Sequence, residues 1–79
     1  MHAYVTINPD ICGGEPVISG TRVTVRSITQ YVLHQGLTPE ELQREFNHLN
    51  LSQIYDALSY YYDHRSLIDK LIAENSARN

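Results

Sequence analysis

Two helix starts, close together, constrain this chain more than any other feature. In Leu37-Thr38-Pro39-Glu40-Glu41-Leu42, Thr38 is placed to cap a helix and Pro39 suits its first position. Glu41, at the third position, can return a hydrogen bond to the cap, and Leu37 and Leu42 supply a hydrophobic staple across the turn. The pattern recurs in Leu49-Asn50-Leu51-Ser52-Gln53-Ile54, with Asn50 as cap, Gln53 as its reciprocal partner, and Leu49 and Ile54 as the staple. The reading is a short helix over 38–46 that buries Leu42 and Phe46, a three-residue link, and a longer helix with Ile54, Ala57, Leu58 and Tyr61 on its inner face.

A first helix precedes them. Val25, Ile28 and Val32 form one stripe bordered by Tyr31, with Thr24 as N-cap and Gly36 as terminator. A short helix tightly linked to a longer one, both packed on a first, is the arrangement of helix-turn-helix and homeodomain-like folds. Ahead of it, Tyr4 to Ile7 favour an extended chain that Asn8-Pro9-Asp10 stops. Gly13-Gly14 bends the chain, Pro16 holds it extended, and Val17-Ile18 read as a second brief strand. Around Asp63-His64 the third helix either continues or breaks. Beyond it Leu67, Ile68, Leu71 and Ile72 form a further apolar stripe, and 76–79 are expected to fray. The expected fold class is mainly α: a homeodomain-like or winged trihelical domain with a short N-terminal β hairpin or arch and a C-terminal amphipathic helix. The arch takes 4–23, the trihelical core 24–64, and the C-terminal helix or tail 65–79.

With 79 residues the chain makes one domain and hides only about 60–65% of its unfolded surface, so oligomerisation or a permanent partner suits it. Cys12 is the only cysteine, which rules out an intramolecular disulfide and fits a reducing compartment. The first residues lack a signal-peptide pattern, and no apolar run approaches the ~18 residues of a membrane span. A cytoplasmic protein with no membrane association is expected.

The formal charge of −3 is unevenly spread: residues 37–64 carry five carboxylates against Arg44 alone, a net −4. A nucleic-acid binder gains affinity by releasing counterions from phosphates, which needs a positive footprint that this middle segment lacks. Convergent catalytic chemistry is absent as well. His2, His34, His48 and His64 have no ligand spacing among them, and Cys12 has no base assignable from sequence. Gly13-Gly14 with Gly20 does not match a phosphate-cradling loop and reads as turn glycines. Glu40, Glu41 and Glu45 are explained by capping and by the favourable sign at a helix start. The expectation is a non-enzyme with no cofactor and no metal.

Binding features are more evident. Consecutive helix positions lie about 100° apart, so Tyr60, Tyr61 and Tyr62 cannot all enter one small core. Tyr55 and Tyr62, seven residues apart, lie along one flank, and tyrosine offers much contact area for little lost entropy. These two, with the stripe Leu67, Ile68, Leu71 and Ile72, are the candidate partner-binding residues; packing within the domain is the competing reading. Arg22 and Arg26 flank the first helix and suit phosphates or a partner's carboxylates. Gln53 is the residue of the third helix suited to reading adenine, but Asp56 repels phosphates and no Arg or Lys follows until Arg65.

The run Ile7-Asn8-Pro9-Asp10-Ile11-Cys12-Gly13-Gly14-Glu15-Pro16-Val17-Ile18-Ser19-Gly20-Thr21-Arg22-Val23 closely resembles the signature of the bacterial family catalogued as domain of unknown function 433 (DUF433), whose members look like VapB-type antitoxins. The resemblance extends through Gly36, the Leu37–Leu42 capping segment and Ile54–Tyr61, covering about residues 4–64. It implies a trihelical protein with a small β element in front, encoded beside a small PIN-like toxin, a metal-dependent ribonuclease, that it neutralises by complex formation. It further implies binding to promoter DNA as part of that complex. Gly13, Gly14, Pro16, Gly20, Thr21 and Arg22 correspond to the family's fixed turn and its arginine, which either ties the arch to the helices or reaches a partner. The chain departs from a DNA-binding antitoxin in its acidic middle and its third helix without Arg or Lys. Expected partners are therefore a PIN-like toxin, further copies of the chain in a homo-oligomer, and promoter DNA through the complex. The alternative is a dimeric helix-turn-helix transcriptional regulator, and a third reading is an adaptor in a larger assembly.

Overall fold

The computed structural model describes residues 2–76; of the fraying expected over 76–79, Ser76 still closes the last helix, and 77–79 lie outside the described residues. Strand β1 (Val5–Thr6) pairs antiparallel with β2 (Val17–Ile18), with Val5 opposite Ile18 and Thr6 opposite Val17. Between them the chain makes a 3₁₀ turn at Cys12–Gly14. Cys12, Gly13 and Gly14 all have positive φ, at 49°, 65° and 84°. Two of the three are glycines, which take this conformation without steric cost, whereas Cys12 carries strain. The Cys12 thiol donates to the Arg22 carbonyl at 3.4 Å, tying this turn to the approach of the first helix.

The short strand β2 is bonded on both edges. Ser19 N–H donates to the Tyr4 carbonyl at 2.8 Å on one side; on the other, Ile18 N–H donates to Val23 and Val25 N–H to Pro16, each at 2.9 Å. Val17 and Ile18 are completely buried, and a buried strand is stable only when its backbone groups are paired in this way.

The chain then enters α1 (Val25–Thr29), where Thr24 caps as expected, its hydroxyl accepting from Ser27 N–H at 3.0 Å. The helix does not run regularly to Gly36. Its second half, Gln30–His34, is a wider π-helical turn in which Gln35 N–H reaches the Gln30 carbonyl at 3.0 Å. Tyr31 and Val32 still pack on the core, and Leu33 and His34 are exposed. Gly36, at φ 79°, ends the segment as the sequence predicts.

Both capping boxes form. In α2 (Pro39–Glu45), Glu41 N–H donates to the Thr38 hydroxyl and Thr38 N–H to the Glu41 carboxylate, at 3.1 and 2.9 Å. The backbone donation to Glu41 is the largest reason its carboxyl is held below the usual 4.5. In α3 (Leu51–Asp63), the reciprocal bonds between Asn50 and Gln53 measure 2.8 and 2.9 Å. Of the four staple residues, Leu42, Leu49 and Ile54 are buried in the core and Leu37 packs against it, partly buried. Phe46 is only half-buried, at the core's edge, its ring meeting Tyr31 edge-on at 5.7 Å.

At His64 (φ −137°, ψ 45°) the chain breaks out of helix, separating α3 from α4 (Arg65–Ser76). The result is a mainly helical fold of four α-helices among the described residues, with a short N-terminal β hairpin. The core unites Ile18, Val25, Ile28, Leu42, Leu49, Ile54, Ala57, Leu58 and Tyr61 with Ile68 and Ile72 of α4. The division expected at 64/65 is thus not a division of the core: α4 folds back and contributes to it.

Ile68 is fully buried, whereas its neighbour Leu67 is 43% exposed. Ile68→Ala is therefore expected to destabilise the fold by about 2–5 kcal/mol, and Leu67→Ala by about 0.5 kcal/mol or less. Urea unfolding of the two variants, followed by far-UV circular dichroism, measures the difference.

Candidate partner-binding surface

The inner stripe of α3 is spent on the core, which leaves an outward stripe of Ser52, Tyr55, Ser59 and Tyr62 at helical spacing, all exposed. Tyr55 is 49% and Tyr62 56% exposed. The Tyr55 hydroxyl donates to the Glu40 carboxylate of α2 at 3.3 Å. Its phenol is pushed up from 10.0, first by desolvation and then by the Glu40 charge and hydrogen bond. Tyr62 is held edge-on against Tyr61, with ring centres 5.1 Å apart.

The three consecutive tyrosines separate as helical geometry requires. Tyr61 is buried and donates its hydroxyl to Asp69 of α4 at 2.8 Å, while the Arg65 guanidinium carbon lies 6.0 Å from its ring centre. Tyr60 is half-buried and stacks on His64 at 4.2 Å. Tyr62 points outward, next to the break after which Leu67 is also exposed.

The N-terminal segment is fastened to the same helix. His2 Nε2 lies 2.8 Å from Asp63 Oδ2, and because a carboxylate only accepts, that nitrogen carries the hydrogen. His2 Nδ1 stands 3.5 Å from Asp56 Oδ1, and Tyr4 N–H donates to Asp56 Oδ2 at 2.8 Å. The sequence gives no hint of this cluster, because its members are separated by more than half the chain. Among the described residues, no group of three or more His, Cys, Asp or Glu side chains is placed to hold a metal ion.

The expected site residues fare unequally. Tyr55, Tyr62 and Leu67 are exposed, and Leu71 is half-buried beside a cavity of about 360 Å³ that Cys12, Gly13, Glu15, Glu74 and Asn75 complete. Ile68 and Ile72 are corrections: they are core residues, because the break at His64 turns α4 back so that one side of its stripe faces α1 and α3. Arg26 is a second correction. Its guanidinium is engaged within the domain, by Glu15 at 3.0 Å and Gln30 at 3.3 Å, and so is not offered to phosphate. Gln53 is a third, since its side-chain oxygen is held by Asn50 N–H in the capping box. Arg22 is exposed at the arch.

Tyr4, Ile7 and Leu33 are exposed apolar residues that the sequence reading did not single out, at 42%, 57% and 43%. Tyr4 and Ile7 were hidden by their strand-like context. Leu33 is exposed where the π-helical turn replaces the regular helix. A cavity of about 450 Å³ lies between that turn and α2, lined by Tyr31, Gln35, Leu37, Leu42, Glu45 and Phe46.

The hairpin, the glycine-rich turn, α1, α2 and most of α3 fall within the segment that matches a family model. Residues 5–61 match the model described as protein of unknown function, DUF433. The chain belongs to the DUF433 family. A crystal structure of a DUF433 member protein from Anabaena variabilis is similar to it, at 31% sequence identity and a TM-score of 0.83, over 89% of this chain and 68% of that one. No curated protein matches the chain. The outward tyrosine of this DUF433 protein at position 62 and Leu67 lie beyond the matched segment, whereas Tyr55 lies within it.

The Tyr61 bond to Asp69 joins α3 to α4 beneath this surface. That hydrogen bond and then burial raise the phenol above its usual 10.0, so the folded state favours the neutral form. The associated stability is complete below the unfolded value and is lost as pH climbs through the folded one. Tyr61→Phe is expected to reduce the fall in stability seen above about pH 10, which chemical unfolding over a pH series would measure.

Proposed function

We propose that the protein is a cytoplasmic, non-enzymatic antitoxin-like inhibitor that neutralises a PIN-like ribonuclease by covering it, works as a homo-oligomer, and represses its own operon together with that partner. The observation that carries this reading is the exposure of Tyr62 and Leu67 on either side of the α3–α4 break. Tyrosine rings beside a rigid packed base are among the anchors from which protein interfaces draw most of their affinity. Family membership supports the same reading through the antitoxin-like character that the DUF433 resemblance implies.

The alternative is a dimeric helix-turn-helix regulator whose main partner is DNA. The short α2, tight link and longer α3 favour it in outline. Against it stand the internal engagement of Arg26 and Gln53 and the carboxylates Asp56 and Asp63 along α3. With so few cations on this face among the described residues, phosphate binding would be weak, since affinity for nucleic acid grows with the number of phosphates neutralised.

Pull-down of the tagged full chain from its native cells tests the two readings. A PIN-like protein at near-equal amount, retained through high salt and inactive as a ribonuclease until released, is the expected result. Recovery of promoter DNA without such a protein would favour the regulator. Within the complex, Tyr62→Ala and Leu71→Ala are each expected to weaken binding by about 2 kcal/mol, some thirtyfold. Glu45→Ala, an exposed change on α2, is expected to leave the affinity, read by isothermal calorimetry, nearly unchanged.

A further inference from the structure

We infer that the outward face of α3 docks against a cationic surface of a partner protein, presenting aromatic rings and carboxylates to its arginines and lysines. This rests on the reading above that the protein acts by binding another protein, and it specifies the chemistry of the partner's surface.

The face has two kinds of group, and both receive arginine or lysine. Tyr55 and Tyr62 stand seven residues apart with half their surface exposed, which places them about 10.5 Å apart along the helix axis. Asp63 is 64% exposed, and Glu40 projects beside Tyr55. Asp56, only 18% exposed, adds charge more than contact. The bonds from His2 and Tyr4 orient Asp63 and Asp56, and the Tyr55 hydroxyl orients Glu40, so the carboxylates are held in place before a partner arrives. Between Arg44 and Arg65 the sequence has no lysine or arginine. Arg65 shows the matching chemistry within the chain itself, its guanidinium lying near the Tyr61 ring.

Charge decides among the occupants. A second copy of the chain would bring the same carboxylates against themselves. Nucleic acid and anionic membranes would be repelled by Glu40, Asp56 and Asp63 in the same way. A surface bearing arginines or lysines pairs with the carboxylates and stacks on the rings.

The test is an NMR titration of the ¹⁵N-labelled full chain with three probes: a short arginine–glycine peptide, a glutamate–glycine peptide of equal length, and a DNA duplex. The expected result is that the arginine peptide shifts the amides of Tyr55, Ser59, Tyr62 and Asp63, and that the shifts diminish from about 50 to about 200 mM salt. The Glu40→Gln/Asp63→Asn double variant, its fold checked by the same spectrum, is expected to bind the peptide about tenfold more weakly. Unmoved α3 amides, shifts confined to another surface, equal shifts with the glutamate peptide, or shifts of the same amides by DNA would each overturn the inference. The titration separates the two proposals. A responsive face without a PIN-like partner in the pull-down sinks the antitoxin reading alone. A PIN-like complex that the double variant forms with unchanged affinity sinks the docking inference alone.

Discussion

Both strands and the three other helices pack against α3, and the rest of the structure depends on that arrangement. Its stripe of Ile54, Ala57, Leu58 and Tyr61 runs along a helix of 13 residues, long enough to meet every neighbour at once. A domain this small has little apolar area to divide, so each neighbour must use the same helix. One consequence is functional. A helix surrounded on its inner side has only its outer side left to offer, and there the exposed tyrosines stand.

The arch in front of the helices is built differently, with backbone hydrogen bonding and turn geometry in place of a wide apolar face. The two-residue strand β2 is held on both edges, so its Val17 and Ile18 can be buried without orphaned amides. The left-handed run at Cys12–Gly14 turns the chain sharply enough to set Glu15 against Arg26 and the Cys12 thiol against the Arg22 carbonyl. The glycines of this turn therefore have a conformational reason to be there. The Arg26 pair fastens the arch to α1, which leaves Arg22 as the arginine of this region that faces solvent.

The surface electrostatics follow from the same packing. Of the cations the sequence offered for phosphate, Arg26 is turned inward, and the outward face of α3 combines tyrosines with carboxylates. Rings and negative charge together are poorly suited to a duplex and well suited to a cationic protein surface. The His2 contacts to Asp56 and Asp63 add a further consequence: the N-terminal segment shapes the margin of the surface as well as completing the sheet.

What the sequence determined by itself was local. The capping boxes at Thr38 and Asn50, the cap at Thr24 and the terminator at Gly36 depend on residues within a turn of one another, so they were legible and they form as read. The inner stripe of α3, the hairpin and the separation of Tyr60, Tyr61 and Tyr62 were legible for the same reason, because helical and strand periodicity decides them. The tertiary structure decided what depends on distant neighbours. Periodicity showed that Leu67, Ile68, Leu71 and Ile72 make a stripe, but only the break at His64, which folds α4 back, assigned Ile68 and Ile72 to the core and left Leu67 outside. Charge pattern marked Arg26 and Gln53 as candidates, and contacts with Glu15 and with the Asn50 backbone removed them. The meeting of His2 with Asp56 and Asp63 has no local signature at all, since a contact between residues so far apart along the chain is a property of the packed fold and not of any stretch of its sequence.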